Sequence, residues 1–149
     1  MADNTVLKKL AYRGEDPVLV IGAPAEFRAT MRAFAGNVNE KPAGRYGFVM
    51  VFVKSASELA NLAPTAAARV EGDGRLWFCY PKKSSRRYQT DISRDVGWRP
   101  LGELGFEPVT LVAIDEDWSA LRFRRVERIK KLTRSKAFSP AGKKRIGKP

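Results

Sequence analysis

Hydrophobic residues along this chain come in short runs of two kinds, continuous and helically spaced, and the two kinds alternate. Val18-Leu-Val-Ile-Gly22 is an apolar, β-branched run bounded by Asp16-Pro17 and Ala23-Pro24, which predicts a strand buried on both faces. Residues 25–34 then place Phe27, Met31 and Phe34 three and four apart, the spacing of an amphipathic helix that Gly36-Asn37 ends. Residues 47–53 form a second continuous apolar strand. Ser55 or Ser57 offers an N-cap to a helix with Leu59, Leu62 and Ala66 inward, which Pro64 is expected to break or kink. Gly72-Asp-Gly74 reads as a turn and residues 75–80 as a third strand, stopped by Pro81. After a basic loop, Thr90-Asp91 opens a predicted helix that turns Trp98, Leu101 and Leu104 inward, weakened by Gly97, Pro100 and Gly102. Residues 108–114 make a fourth apolar strand, Asp115-Glu-Asp117 a turn, and residues 118–126 a fifth, alternating strand.

Apolar strands separated by helical crossovers imply a parallel sheet with helices on both faces. The fifth strand follows its neighbour through a short turn, so it is expected to be antiparallel and less completely covered. The fold class that follows is α/β: a three-layer, Rossmann-like domain with a five-stranded, mostly parallel sheet whose last strand is antiparallel.

The chain has 149 residues, 44% of them hydrophobic, enough for a core of its own. No run approaches the roughly 18 apolar residues of a membrane span, and residues 1–9 lack the apolar stretch of a signal peptide, so no membrane partner and a cytoplasmic setting are expected. Histidine is absent and Cys79 is the lone cysteine. The Ser-His-Asp triad, an internal disulfide and a multi-thiolate metal site are thereby excluded, and the residues imply neither a metal nor a cofactor. Cys79, inside a strand, reads as an inert buried thiol. The net charge is +12, but nine basic residues and no acid lie in 128–149, which leaves +3 on residues 1–127. The expected organisation is one α/β domain over 1–127 and a basic, disordered tail over 128–149, able to bind nucleic acid weakly and without reading sequence.

Five blocks, Leu19-Val-Ile-Gly-Ala-Pro24, Phe48-Val-Met-Val-Phe-Val-Lys-Ser55, Trp77-Phe-Cys-Tyr-Pro-Lys-Lys-Ser-Ser85, Thr90-Asp-Ile-Ser-Arg-Asp-Val-Gly-Trp98 and Asp117-Trp-Ser-Ala-Leu-Arg-Phe-Arg124, resemble a family of small bacterial proteins built on a domain of unknown function. The resemblance spans roughly residues 6–127 and implies the fold and a bacterial cytoplasmic setting, without an activity. A looser likeness is to the second half of a Rossmann-like methyltransferase. It implies a spatial strand order of first, second, third, fifth, fourth, with the first strand at an edge and no reversal of strand order beside it. Gly22-Ala-Pro-Ala-Glu26 has one glycine where a phosphate-binding fingerprint has three, and Lys54 rather than an acid follows the second predicted strand. A working methyltransferase or dehydrogenase is therefore not the expectation.

The chemistry-bearing segment is the loop between the third strand and the next predicted helix. Lys82, Lys83, Arg86 and Arg87 supply positive charge, Ser84 and Ser85 supply hydroxyls, and Thr90 is placed to cap a helix whose amides favour an anion. Lys54 and Ser55 end the neighbouring strand at the same sheet edge. Asp91, Arg94 and Asp95, at i, i+3 and i+4, would share one helical face and orient the loop's arginines. The bland counterpart is a solvated basic loop. Trp118 reads as core and residues 115–117 as a simple acidic turn. Two function classes stay open: a module binding an anionic small molecule (a nucleotide or phosphorylated metabolite) at this loop, or a scaffold whose tail recruits nucleic acid or an acidic partner.

Overall fold

The computed structural model describes residues 4–129. Its elements run α1 (Asn4–Lys9), β1 (Val18–Ile21), a 3-10 turn (Ala25–Phe27) into α2 (Arg28–Met31), β2 (Val38–Asn39), β3 (Tyr46–Phe52), α3 (Ala56–Arg69), β4 (Val70–Pro81), α4 (Arg99–Glu103), β5 (Phe106–Ala113) and β6 (Trp118–Arg125). They build one six-stranded sheet in the order β2-β1-β3-β4-β6-β5. β2, β1, β3 and β4 pair in parallel, while β6 runs antiparallel to both β4 and β5.

The layers follow from the apolar runs. On one sheet face α3 and α4 press Leu59, Ala63, Ala66 and Leu101 onto Val49, Leu76, Phe78 and Phe123. On the other, α1 and the α2 turn press Leu7, Leu10, Phe27 and Phe34 onto Phe48, Met50, Trp77 and Trp118. Cys79 is fully buried in this second layer, and burial pushes its thiol well above the ordinary range, so it is a packing residue. Among the described residues no helix is long and apolar enough to cross a membrane.

Several expectations need correcting. The sheet has a sixth strand, because Val38 and Asn39 pair with Val18 and Leu19. Two residues are too short a run to carry a period. β1 is therefore interior, with β2 on one side and β3 on the other, and strand order does reverse beside it. An acid, Glu40, directly follows β2. The helix predicted from Thr90 does not form. Ser93 and Val96 bond each other's backbone, Gly97 takes φ +107°, and helix begins only at Arg99, with Pro100 in its first turn. Trp98 and Leu101 are buried as expected, but Leu104 lies 42% exposed. Pro64 does not end α3, whose Leu59, Ala63 and Ala66, on either side of it, hold one continuous helix on the sheet. The Gly72-Asp-Gly74 turn is a bulge within a longer strand: Tyr46 pairs with Val70 but Phe48 with Arg75. β6 is central and well covered, and the strand left open is β5, with Val109 and Leu111 exposed.

Before β1, the chain makes a close contact that fixes the entry to the sheet. A Cβ on Gly36 would come within 2.3–2.5 Å of the Asp16 side chain, Asp16 Cβ included, and Asp16 accepts the Asn37 amide at 2.8 Å. Because Asp16 Cβ cannot swing aside, Gly36→Ala is expected to cost about 1–2 kcal/mol as overpacking. The loss should appear as a lower urea midpoint with an unchanged slope.

Candidate functional site

The parallel strands bring their carboxyl ends to one sheet edge, and the start of β6 joins them there because Pro81 pairs with Trp118. At this edge the turn after β1 closes on β3. Gly22 has φ +72°, and a Cβ there would approach the Phe52 carbonyl to 3.0 Å, so glycine is what lets the two strand ends come together. The adjacent end of β3 feeds α3 through a dense cap. Ser55 Oγ accepts the Glu58 amide at 3.1 Å and Glu58 Oε1 accepts the Lys54 amide at 2.7 Å. Asp91 Oδ1 accepts the Ala56 amide at 2.8 Å. Two amide donors at the start of α3, those of Ala56 and Glu58, are thus taken by side chains.

The loop of residues 82–91 runs across this edge and is fastened at identifiable points. Ser85 Oγ donates to Asp117 Oδ1 at 2.7 Å and accepts the amides of Arg87 and Tyr88 at 3.1 Å each. Tyr88 rests on Trp118 with ring centroids 5.0 Å apart and donates its hydroxyl to Glu26 at 2.5 Å. Trp118 Nε1 donates to the same Glu26 oxygen at 2.9 Å. Arg87 Nη1 lies 3.5 Å from Glu26, and its Nε lies 3.8 Å from Asp117. Lys54 Nζ sits over the Tyr88 ring at 4.9 Å.

These contacts set the electrostatics. Burial by itself would raise the Glu26 carboxyl, but the hydrogen bonds from Tyr88 and Trp118, with the nearby Arg87 charge, outweigh it and hold Glu26 below its ordinary range. The same bond to Glu26, helped by burial, pushes the Tyr88 hydroxyl up.

Of the loop residues expected to hold the anion, three are committed within the protein. Ser85 and Arg87 anchor the loop, and Thr90 Oγ1 accepts the Ile92 amide at 3.0 Å in a local turn, not at a helix start. Lys82, Lys83 and Arg86 form no ion pair with any described residue, and Ser84, like Lys83 and Arg86, is exposed. The loop side chains divide between two open depressions. One, of about 450 Å³, is lined by Ser84, Arg86, Arg87, Glu116 and Asp117. The other, of about 510 Å³, is lined by Lys82, Lys83, Ser85, Tyr88, Gln89 and Thr90. Asp91, Arg94 and Asp95 do not share a helical face: Asp91 caps α3, while Arg94 and Asp95 are exposed on the 93–96 turn. Among the described residues no group of three acids, cysteines or histidines could hold a metal ion.

The residues the sequence reading missed are Glu26, Tyr88 and Asp117. A signal for Asp117 was present, since the expected strand order already puts the acidic turn at 115–117 beside the basic loop. Glu26 carries no such signal, because its partners lie 62 and 92 residues away.

No family model matches the chain, and no curated protein matches its sequence. Solved structures do match. The N-methyltransferase NodS from Bradyrhizobium japonicum WM9, in complex with S-adenosyl-L-homocysteine, aligns over 82% of this chain and 84% of its own at 14% identity, with a TM-score of 0.52. The pyocyanin biosynthetic protein PhzM aligns over 82% of this chain and 53% of its own at 11% identity, with a TM-score of 0.57. PigF, solved with S-adenosyl-L-homocysteine, aligns over 83% and 62% at 11% identity, with a TM-score of 0.53. What they share with this chain is the fold. It is the Rossmann-like architecture of methyltransferases, with an antiparallel strand set between the last two parallel ones.

Proposed function

We propose that the folded body is a binding module for a small anionic ligand, a nucleotide or phosphorylated metabolite, held at the carboxyl edge of the sheet by the loop after β4. The observation that carries this reading is the division of labour in the loop. Ser85, Arg87 and Tyr88 fasten it to Asp117, Glu26 and Trp118, while Lys82, Lys83 and Arg86 have no carboxylate partner among the described residues. A pinned loop loses little conformational entropy on binding, so its unpaired cations are preorganised for phosphate oxygens. Ligands in open α/β sheets bind outside the carboxyl ends of the strands where strand order reverses, and here that point lies between β1 and β3, close to the Tyr88 and Lys54 side chains. NodS and PigF, each solved with S-adenosyl-L-homocysteine, lend the fold precedent for a nucleotide-like occupant. The single glycine of the turn after β1 argues against the usual phosphate cradle there and in favour of the basic loop as the anion contact.

A second reading rests on charge segregation: nine basic residues and no acid in 128–149 fit a polyanion-recruiting segment on a scaffold. Residues 130–149 lie outside the described residues. One experiment separates the two. Full-length protein and the variant carrying Lys82→Ser, Lys83→Ser and Arg86→Ser are titrated with ATP and with duplex DNA in a calorimeter. On the first reading the triple substitution weakens ATP binding about tenfold or more, as loss of charge-assisted hydrogen bonds predicts, and spares DNA binding. Equal ATP affinity in the two proteins would remove the loop as the site, and DNA binding alone would leave the scaffold reading.

A further inference from the structure

A second concentration of arginines lies at the opposite end of the sheet. β6 places Arg122 and Arg124 on the face that carries Ala120, and β4 places Arg75 on the same face, two residues before Trp77. In the register, Arg122 lies opposite Trp77 on one side and opposite Thr110 on the other. The turn after α1 adds Arg13, whose backbone amide donates to Glu15 Oε1 at 2.7 Å while Arg75 Nη1 lies 3.1 Å from Glu15 Oε2.

Most of this charge is matched. Arg75 has Glu15, Arg124 grips Asp73 through Nε at 3.0 Å and Nη2 at 2.6 Å, and the fully buried Glu107 stands opposite Arg124. Arg122 is different. It makes no ion pair with any described residue, and its Nε is sealed from solvent with no acceptor. The Nε of Arg75 is likewise sealed and unused. Burial, and then the like charges of Arg75, Arg124 and Arg13, lower the affinity of Arg122 for its proton. A guanidinium nonetheless stays charged, so the fold holds a partly desolvated cation among cations, and Asp73, the acid whose charge favours it, is already gripped by Arg124.

The geometry points to an oxyanion site here: a phosphate or phosphoryl group seated against Arg122, with Arg75 and Arg13 beside it. Arg122 is only half-buried, and its planar guanidinium suits two oxygens of such a group, with the half-buried Arg75 on the same face. Trp77, which lies opposite Arg122 in the register, is not free to stack on a base, since it gives its Nε1 to the Leu10 carbonyl at 3.0 Å and is 1% exposed. This site is independent of the loop at 82–91.

The test uses the full-length protein and two probes, inorganic phosphate and O-phosphoserine, against chloride at matched ionic strength. Arginine Nε–Hε resonances and the thermal midpoint are followed. Phosphate should move the Arg122 and Arg75 resonances and raise the midpoint more than chloride does. Arg122→Met should weaken that response about tenfold or more, and Arg122→Lys should keep more of it than Met. The Lys82→Ser, Lys83→Ser, Arg86→Ser protein should respond to phosphate at Arg122 as wild type does. A phosphoserine response stronger than that to phosphate would assign the anion to a larger phosphorylated molecule, and an equal one to the free ion. Wild type moved by phosphate no more than by chloride, or Arg122→Met responding like wild type, overturns the site. Should Arg122→Met fail to fold, the wild-type Arg75 and Arg122 resonances decide alone.

Discussion

Trp118→Ala is expected to destabilise the protein by about 3–5 kcal/mol, the usual cost of removing a buried large aromatic. The side chain is 1% exposed, meets Phe52 edge-on at 5.2 Å and carries Tyr88 at 5.0 Å. Its loss would leave a void between the second core layer and the loop and would take one donor from Glu26. Urea unfolding of the two proteins measures the effect as a shift in midpoint at constant slope. Trp118→Phe keeps most of the packing and is expected to lose only about 2 kcal/mol, near the worth of one hydrogen bond to a charged group. If Trp118→Ala stayed within about 1 kcal/mol of wild type, the loop would not rest on that ring as described.

Glu26→Gln is expected to cost about 2 kcal/mol at neutral pH, because charge-assisted bonds from Tyr88 and Trp118 become neutral ones and Arg87 loses an ion partner. The pH dependence carries a sign that can be checked. Glu26 titrates below its reference value of 4.5, so its carboxylate stabilises the folded state fully above that value. That contribution disappears as pH falls from about 4.5 through the lowered folded value. The difference between wild type and Glu26→Gln should therefore shrink on acidification over that window and be flat from pH 5.5 to 8. Chemical denaturation at a series of pH values gives both curves. A difference that grew on acidification would contradict the bonding around Glu26.

The fold was legible wherever an apolar run, continuous or helically spaced, was long enough to stand out from its flanks. The runs at 18–22, 47–53, 75–80 and 108–114 became β1, β3, β4 and β5, and Ser55 became the N-cap of α3 with Glu58 completing the box. Placing the fifth strand between the third and fourth was also right. β2 was not legible, because Val38 and Asn39 pair through backbone alone and have no pattern of their own. The helix expected after Thr90 failed for the opposite reason. Its apolar spacing was adequate, but Gly97 and Pro100 governed the backbone and the buried Ile92 and Trp98 were satisfied by a turn. At the candidate site, the cations were legible as a local cluster. Their anchors were not, since Glu26 reaches Tyr88 and Trp118 only after the sheet has assembled.

The position of β6 bears on how the chain is made. Of the described strands it is the last to leave the ribosome, yet it belongs between β4 and β5. Until residue 125 has emerged, β4 can pair with β3 on one side only, and β5 has no partner in the sheet. The emerging chain therefore exposes the open edge of β4, with Leu76, Trp77, Phe78 and Cys79 in it, and an unpaired β5. Such edges are what chaperones shield and what aggregates nucleate upon. Once β6 emerges, the short β5–β6 hairpin forms on a microsecond scale and slots against β4 as a unit. Synthesis of this protein thus has a vulnerable interval that ends abruptly, at the strand that closes the sheet from within.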